Sequence, residues 1–448
     1  MAGMKRVGGR AAALIVLSAI ILGGLSIYFF RYVTSGRDWV SFPSNKTVFS
    51  GGVLKLGTLL DRDGTVLSGV SENTRVYAES EAVRKATLHV VGDLSGNIGT
   101  SALTAFAPRL MGYNMFTGAY TRTGEGKTLT LTVDADLNVT AYKALGGAKG
   151  AVGVVNYKTG ELLCMVSAPS FDPLNIPDLD SSKYEGAYIN RFLSGTYPPG
   201  SVFKLVTLAA AIENIPDLND RVFHCDGGVT IGGDFVTCTK KHGDLSIEDA
   251  LAVSCNSAFG ELALELGADT LADYAGRFGL TKAFEIDGIS TAAGSFMKAD
   301  AETANLAWSG IGQFEDMVCP AAMLRFVAAI ANGGTAVDMR LVGEKGLAAL
   351  IPPGSTRLLS NSTAEKIAVM MNYNVYKSYG ESNFPDLELY AKSGTAEVGG
   401  GKEPHAWFVG YINNEDHPLA FVVVVENGGS GSHTAGAVAN KVLQAAVK

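Results

Sequence analysis

The longest departure from mixed polarity in the chain is an apolar run from Ala11 to Phe30, preceded by Lys5, Arg6 and Arg10. Twenty residues rising 1.5 Å each span roughly 30 Å, the hydrocarbon thickness of a bilayer, so the run predicts a transmembrane helix over 11–30. A cleavable signal has a shorter apolar region that ends in small residues. This run closes on Ile27, Tyr28, Phe29 and Phe30 and is expected to stay attached. Three cations precede it, and Arg31, Arg37 and Asp38 follow. By the positive-inside rule residues 1–10 are cytoplasmic, and everything beyond Arg31 lies outside the cell membrane, on a single-pass anchor.

Beyond the anchor the apolar positions recur on shorter scales. Residues 31–147 are polar and rich in Gly and Thr, with a strand-like run from Thr128 to Val133 and a helical one from Glu79 to Val91. That pattern predicts a small mixed α/β domain. Asp61-Arg62-Asp63-Gly64 begins like a calcium loop, but its Gly comes two places early and a turn is expected. Gly124-Glu125-Gly126-Lys127-Thr128 is like a phosphate loop, but Thr121 stands where the first Gly is required, so no nucleotide site is expected.

From 148 to 448 the pattern predicts a second domain. Ala151 to Tyr157 and Glu161 to Ser167, joined by Lys158-Thr159-Gly160, form a hairpin. Helical spacing follows over Val202–Glu213, Ile247–Val253, Ser257–Leu266, Pro320–Asn332 and Ala364–Tyr373. Three strand patterns, Leu387–Lys392, His405–Ile412 and Leu419–Glu426, precede a helical tail from Ala435 to Val447. Two strands, many helices, then three strands suit one sheet fed from both ends of the domain, with helices on its faces.

The 448 residues, 47% hydrophobic and 18% charged, provide for a packed core and no long disordered tract. A net charge of -8 without a basic patch argues against a nucleic-acid partner. The five cysteines, Cys164, Cys225, Cys238, Cys255 and Cys319, are too few for a disulfide scaffold. Cys225 and Cys238 bracket a Gly-rich stretch and could close a hairpin-like loop. With His224 and His242 nearby the pair could also be read as a zinc site, but the spacing matches no familiar knuckle, and no metal is expected. No motif sets a histidine beside Cys255, which therefore reads as a small buried hydrophobe.

Candidate chemistry begins at Ser201 and Lys204. Tyr197-Pro198-Pro199-Gly200 cannot be helical, so Ser201 falls at a helix N-terminus with Lys204 on the same face. Serine is a poor nucleophile until a base takes its proton. Lysine can serve if burial and a second cation lower its pKa, and Lys392 is the candidate for that charge. Alone, Ser-x-x-Lys is a weak signal, and an N-cap serine explains it as well. Its company strengthens it: Ser254-Cys255-Asn256 and Lys392-Ser393-Gly394-Thr395 follow in order, the last on a predicted strand, a set characteristic of penicillin-binding proteins and class A β-lactamases.

Over roughly 129–448 the chain resembles the transpeptidase domain of class B penicillin-binding proteins. Beyond the three motifs the similar stretches are Gly160-Glu161 to Asp172-Pro173, Gly195 to Lys204, His242-Gly243, Gly310-Ile311-Gly312-Gln313, Ala331-Asn332-Gly333-Gly334 and His405-Ala406-Trp407-Phe408. The resemblance implies a mixed α/β fold with a central antiparallel five-stranded sheet flanked by helices, standing on a smaller N-terminal pedestal. It implies a peptidoglycan D,D-transpeptidase without cofactors that is inhibited by β-lactam antibiotics. Ser201 would attack the D-Ala-D-Ala carbonyl of a stem peptide, and an amine of a neighbouring peptide would resolve the acyl-enzyme. Lys204 would be the base, Ser254 a proton relay, Asn256 the holder of Lys204 and the substrate amide, and Lys392 the counter-charge. Ser393 and Thr395 would receive the terminal carboxylate, the backbone N–H groups of Ser201 and Thr395 the oxyanion, and Gly394 would let the substrate lie along the strand edge. The sequence departs from the family's commoner wording in Ser393 for Thr and in Cys255 within the second motif. A glycosyltransferase module is not recognised, so a multi-spanning glycan polymerase is the expected membrane partner. A D,D-carboxypeptidase, a serine β-lactamase and a non-catalytic cell-wall scaffold are the alternatives, separated from a transpeptidase by the fate of the acyl-enzyme.

Overall fold

The computed structural model describes residues 2–40, 49–50, 53–72, 74–113, 126–343, 346 and 351–448; Thr121, Gly124 and Glu125 of the rejected phosphate-loop likeness lie outside them. A helix from Ala2 to Val40 carries the apolar run. Its Val7–Gly36 segment contains an unburied 18-residue stretch with a mean hydropathy of 2.4 and is long and apolar enough to cross a membrane.

In the pedestal, strands Thr74–Tyr77, Val66–Ser71 and Thr58–Leu60 run antiparallel, and Thr128–Thr130 joins Thr58–Leu60 in parallel. The Asp61 motif is a turn: Asp61 Oδ1 accepts the backbone N–H groups of Asp63 at 3.0 Å and Thr65 at 2.7 Å. Arg75, buried with no carboxylate partner among the described residues, donates to the carbonyls of Leu54, Leu56 and Gly57. The Glu79–Val91 pattern forms two short helices, Glu81–Ala86 and Leu88–Val91. Thr87 breaks the run, leaving helical geometry while its hydroxyl donates back to Val83 O at 2.7 Å.

The larger sheet contains β1 (Gly150–Asn156), β2 (Leu162–Ala168), β3 (Leu389–Ala396), β4 (His405–Ile412) and β5 (Leu419–Val425). All neighbours are antiparallel in the order β3-β4-β5-β1-β2, so the chain's late strands complete the sheet begun by its early hairpin. The aliphatic run of β5 is buried throughout, as a strand covered on both faces requires. Its alternate residues enter different cores. Val422 and Val424 join Phe326 from the helix Pro320–Ala331, whereas Phe421 and Val423 join Val438 and Leu443 from the C-terminal helix Gly436–Ala446.

The helix Ala135–Ala144, just before residue 147, packs on the pedestal helix Glu81–Ala86 and also into this second core. Leu137, Ala141 and Leu145, on or just past the helix Ala135–Ala144, pack with Val152 and Val438. Asn138 ties the same helix to β2, donating to Leu163 O at 3.2 Å and accepting from Met165 N–H at 3.1 Å. The pedestal holds the larger domain through a bidentate Arg84–Asp172 pair, both contacts 2.7 Å, and through His89 Nε2, 2.8 Å from Ala187 O.

Candidate active site

Tyr197-Pro198-Pro199-Gly200 is pinned on both sides. Tyr197 exchanges backbone hydrogen bonds with Val318, the Trp407 indole of β4 donates to Pro198 O at 3.0 Å, and Gly200 N–H reaches Gly312 O at 2.7 Å. These contacts explain why the Gly310–Gln313 and His405–Phe408 stretches accompany the serine. Gly200 has a φ of +55°, and a Cβ there would lie 2.7 Å from Thr395 O. Ser201 follows in a tight turn, Gly200–Val202, and the regular helix α1 starts only at Lys204 and runs to Asn214, two residues later than the sequence pattern suggests.

Lys204 is fully buried, and its Nζ donates to Ser254 O at 2.6 Å, Asn256 Oδ1 at 2.8 Å and Ser254 Oγ at 3.1 Å. Lys392, equally buried on β3, reaches the same Ser254 Oγ at 3.0 Å and Ser393 O at 2.8 Å. Ser254 Oγ therefore joins two amines that can be at most about 6 Å apart. At an effective dielectric near 20, two ammonium charges at that distance repel by about 3 kcal/mol, roughly two pKa units, so the pair favours carrying one proton fewer. Burial lowers the Lys204 amine to about 8. Burial, with Lys204 second, lowers Lys392 well below an ordinary lysine. A neutral Lys204 would keep two N–H bonds, to Ser254 O and Asn256 Oδ1, and have a lone pair left to accept a proton, while Lys392 donates to Ser254 Oγ.

Ser254 takes a φ of +54°, a left-handed conformation that costs a non-glycine residue about 1–3 kcal/mol and concentrates at functional sites. It follows the short helix α2, Ile247–Ala252, whose end is closed by Ser254 N–H on Leu251 O and Cys255 N–H on Ala250 O. Helix α3, Asn256–Arg277, starts immediately after. Asn256 Nδ2 donates to Thr237 O at 2.8 Å, so its amide bridges Lys204 to a neighbouring hairpin.

Ser201, Thr237, Ser254, Asn256, Ser393 and Thr395 line one cleft of about 360 Å³, which brings the expected serine, relay, amide and carboxylate-binding hydroxyls together. The described hydrogen bonds of Lys204 run to Ser254 and Asn256, not to Ser201 Oγ. Gly394 has a structural reason of its own. A Cβ there would meet Pro199 O at 2.9 Å and Val202 Cγ1 at 3.0 Å, so glycine lets the serine turn sit against β3. Sequence reasoning missed Tyr379, whose buried hydroxyl accepts Ser393 N–H at 2.8 Å and lies 3.1 Å from Ser393 Oγ. No motif marks Tyr379, because its position depends on how the turn Val375–Tyr379 packs against β3.

Behind the Ser254–Asn256 corner Cys255 is buried, as its sequence reading has it, but it is packed among other sulfurs. Cys225 and Cys238 are not disulfide-bonded, and they meet Cys255 and His242 in one cluster. His224 points away, to Asp244 at 2.7 Å and Asp226 at 3.2 Å.

Residues 150–444 match the penicillin binding protein transpeptidase domain family. The chain is 30% identical to the peptidoglycan D,D-transpeptidase PbpA of Mycolicibacterium smegmatis, across 98% of this chain and 97% of that protein. Among solved structures it is similar to penicillin-binding protein A of M. tuberculosis as a ceftriaxone acyl-enzyme, with a TM-score of 0.75 at 25% identity over 88% of this chain and 98% of that one. It is also similar to the D,D-transpeptidase domain of a peptidoglycan glycosyltransferase from Eggerthella lenta, with a TM-score of 0.74 at 27% identity over 88% and 98% of the two chains.

Proposed function

The chain belongs to the penicillin-binding protein transpeptidase family, and from that premise we propose that it is a serine D,D-transpeptidase that cross-links peptidoglycan stem peptides and is acylated by β-lactams at Ser201. The observation that carries this reading is the single cleft in which Ser201 shares a wall with Ser254 Oγ, itself bonded to both buried lysines. Neutral Lys204 takes the Ser201 proton as Oγ attacks the D-Ala-D-Ala carbonyl. Ser254 passes a proton from the amines to the departing D-Ala nitrogen, and Lys392 keeps positive charge beside the bound carboxylate. Backbone N–H groups of Ser201 and Thr395 receive the oxyanion, each donor worth about 3 kcal/mol of barrier. Ser393, fixed by Tyr379, and Thr395 hold the carboxylate. Glu397, the carboxylate among the lining residues, is exposed, and this favours an amine acceptor over a buried base that would activate water.

The N-terminal helix is a single-pass membrane anchor by its length and composition. Residues 1–10 are proposed to be cytoplasmic and both domains, 31–147 and 148–448, extracytoplasmic. The pedestal and anchor would dock a multi-spanning glycan polymerase. Co-purification that survives replacement of residues 1–130 would overturn that role.

The decisive experiment incubates the full-length protein in detergent with a penicillin and follows intact mass, alongside Ser201→Ala. A persistent drug-sized adduct absent from the variant supports the reading. Rapid drug hydrolysis would make the protein a β-lactamase, and an unmodified protein beside unconsumed drug would leave a scaffold.

A further inference from the structure

Behind the corner that carries Ser254 and Asn256, two antiparallel hairpins fold over the start of α3. One pairs Phe223–Cys225 with Gly243–Leu245, and the other pairs Gly228–Ile231 with Asp234–Thr237. Cys225 and Cys238 therefore end neighbouring strands, and His242 sits just before the return strand. Cys255 stands at the N-cap of α3, where its side chain makes no capping hydrogen bond. The three sulfurs and His242 Nδ1 lie within 4.8 Å of one another. Nδ1 is 3.5 Å from Cys225 Sγ and 3.5 Å from Cys238 Sγ, and the Cys238 and Cys255 sulfurs are 3.9 Å apart.

Those separations have a chemical meaning. A tetrahedral zinc ion with Zn–S near 2.3 Å and Zn–N near 2.0 Å sets ligand-to-ligand edges of about 3.8 Å between sulfurs and about 3.5 Å between sulfur and nitrogen. A disulfide needs its sulfurs near 2.05 Å, which the 3.9 Å Cys238–Cys255 approach does not provide. The surroundings also suit thiolates. Asn256 N–H donates to Cys238 Sγ at 3.1 Å, Ser257 Oγ donates to Cys225 Sγ at 3.4 Å, and the positive end of α3 faces the group.

We propose that Cys225, Cys238, Cys255 and His242 Nδ1 form a tetrahedral structural zinc site that fastens the two hairpins to the Ser254–Asn256 corner of the catalytic cleft. Three thiolates and one imidazole are a soft, closed ligand set that suits zinc and discriminates against magnesium or calcium. Binding releases the thiol protons to solvent and leaves zinc without an open position, so the ion takes no part in acyl transfer. Its effect is positional. Cys255 lies between the two residues that hold Lys204, and Cys238 adjoins Thr237, the acceptor of the Asn256 amide. The ion enters from the cleft, since Cys238 is half-buried and lines it.

The test uses full-length protein purified in detergent without chelator. Expected are about one zinc per chain and, after exchange for cobalt, the visible bands of tetrahedral cobalt with a thiolate charge-transfer band. Cys225→Ser should lose both, while His224→Ala, which alters the exposed neighbouring histidine, should keep them. Stripping zinc from the wild type should slow penicillin acylation about tenfold, with recovery on re-addition. Metal content and cobalt spectra do not depend on acyl transfer, so they decide the site even if the transpeptidase reading fails. If Cys225→Ser does not fold, stoichiometry and spectrum of the wild type still decide it. Less than about a tenth of an equivalent of zinc, a Cys225–Cys238 disulfide by mass mapping, or cobalt bands that survive in Cys225→Ser would each overturn the proposal.

Discussion

Two polar clusters lie back to back across three consecutive residues. On the cleft side Ser254 and Asn256 meet Lys204 and Lys392 through nitrogen and oxygen contacts of 2.6–3.1 Å. On the other side Cys255 Sγ lies 3.9 Å from Cys238 Sγ, in a group spanning 4.8 Å where His242 Nδ1 is 3.5 Å from the Cys225 and Cys238 sulfurs, and His242 Nε2 is buried with no hydrogen-bond partner among the described residues. The first cluster is joined by hydrogen bonds and, in the proposed mechanism, moves a proton through them. The second gathers four soft ligand atoms within 4.8 Å of one another, the arrangement proposed to anchor zinc. In that reading adjacent residues divide proton transfer from anchoring, and substitutions on one side should leave the other's signature in place.

Lys204→Ala should break the comparison most strongly. Removing the base is expected to lower penicillin acylation by about 10³-fold, measured by stopped-flow or timed mass spectrometry, with zinc content unchanged. Asn256→Ala removes the Lys204 acceptor and leaves Thr237 O without its side-chain donor, a loss of about 2–3 kcal/mol, so acylation should fall on the order of 30- to 100-fold. Its backbone N–H on Cys238 remains, and the cobalt spectrum should survive. A joint loss would show that the clusters are one unit.

The pH profile sharpens the division further. Lys204 is lowered to about 8, and below that pH it keeps the proton it must lack in order to accept one from Ser201. Acylation should therefore fall about tenfold per pH unit below 8 and level off above it. A flat profile between pH 6 and 9 would remove Lys204 as the titrating base. The smallest effect is expected from Tyr379→Phe. Losing its bonds to Ser393, about 1 kcal/mol, should raise KM for a D-Ala-D-Ala donor about fivefold with little change in kcat.

The fold was legible where period and punctuation agree. His405–Ile412 matches its predicted strand residue for residue, and the Lys158-Thr159-Gly160 turn joins β1 to β2 as expected. The start of α1 was misplaced because the tight Gly200–Val202 turn has helix-like local signals, and its geometry is imposed by Gly312, Trp407 and β3. The helix Ala135–Ala144 packs toward the pedestal helix Glu81–Ala86 as well as into the core of the larger sheet, because amphipathic spacing says that a face is buried and not against what. Ser201, Lys204, Ser254, Asn256 and Lys392 were readable because their motifs keep fixed local spacing. Tyr379 and the thiol cluster were not. Cys225 and Cys238 were weighed with nearby residues, and the ligand that completes the group, Cys255, lies on the far side of α2 in sequence, in a motif already claimed by catalysis.

The left-handed backbone at Ser254 aims Cys255 away from the cleft while its neighbours face it, so this corner carries two heredities in one tripeptide. Across related genomes the middle residue should vary together with positions 225, 238 and 242 and independently of its own flanking letters. A lineage that drops one of the four would be free to drift at the other three, with the serine and the asparagine still held in place by selection.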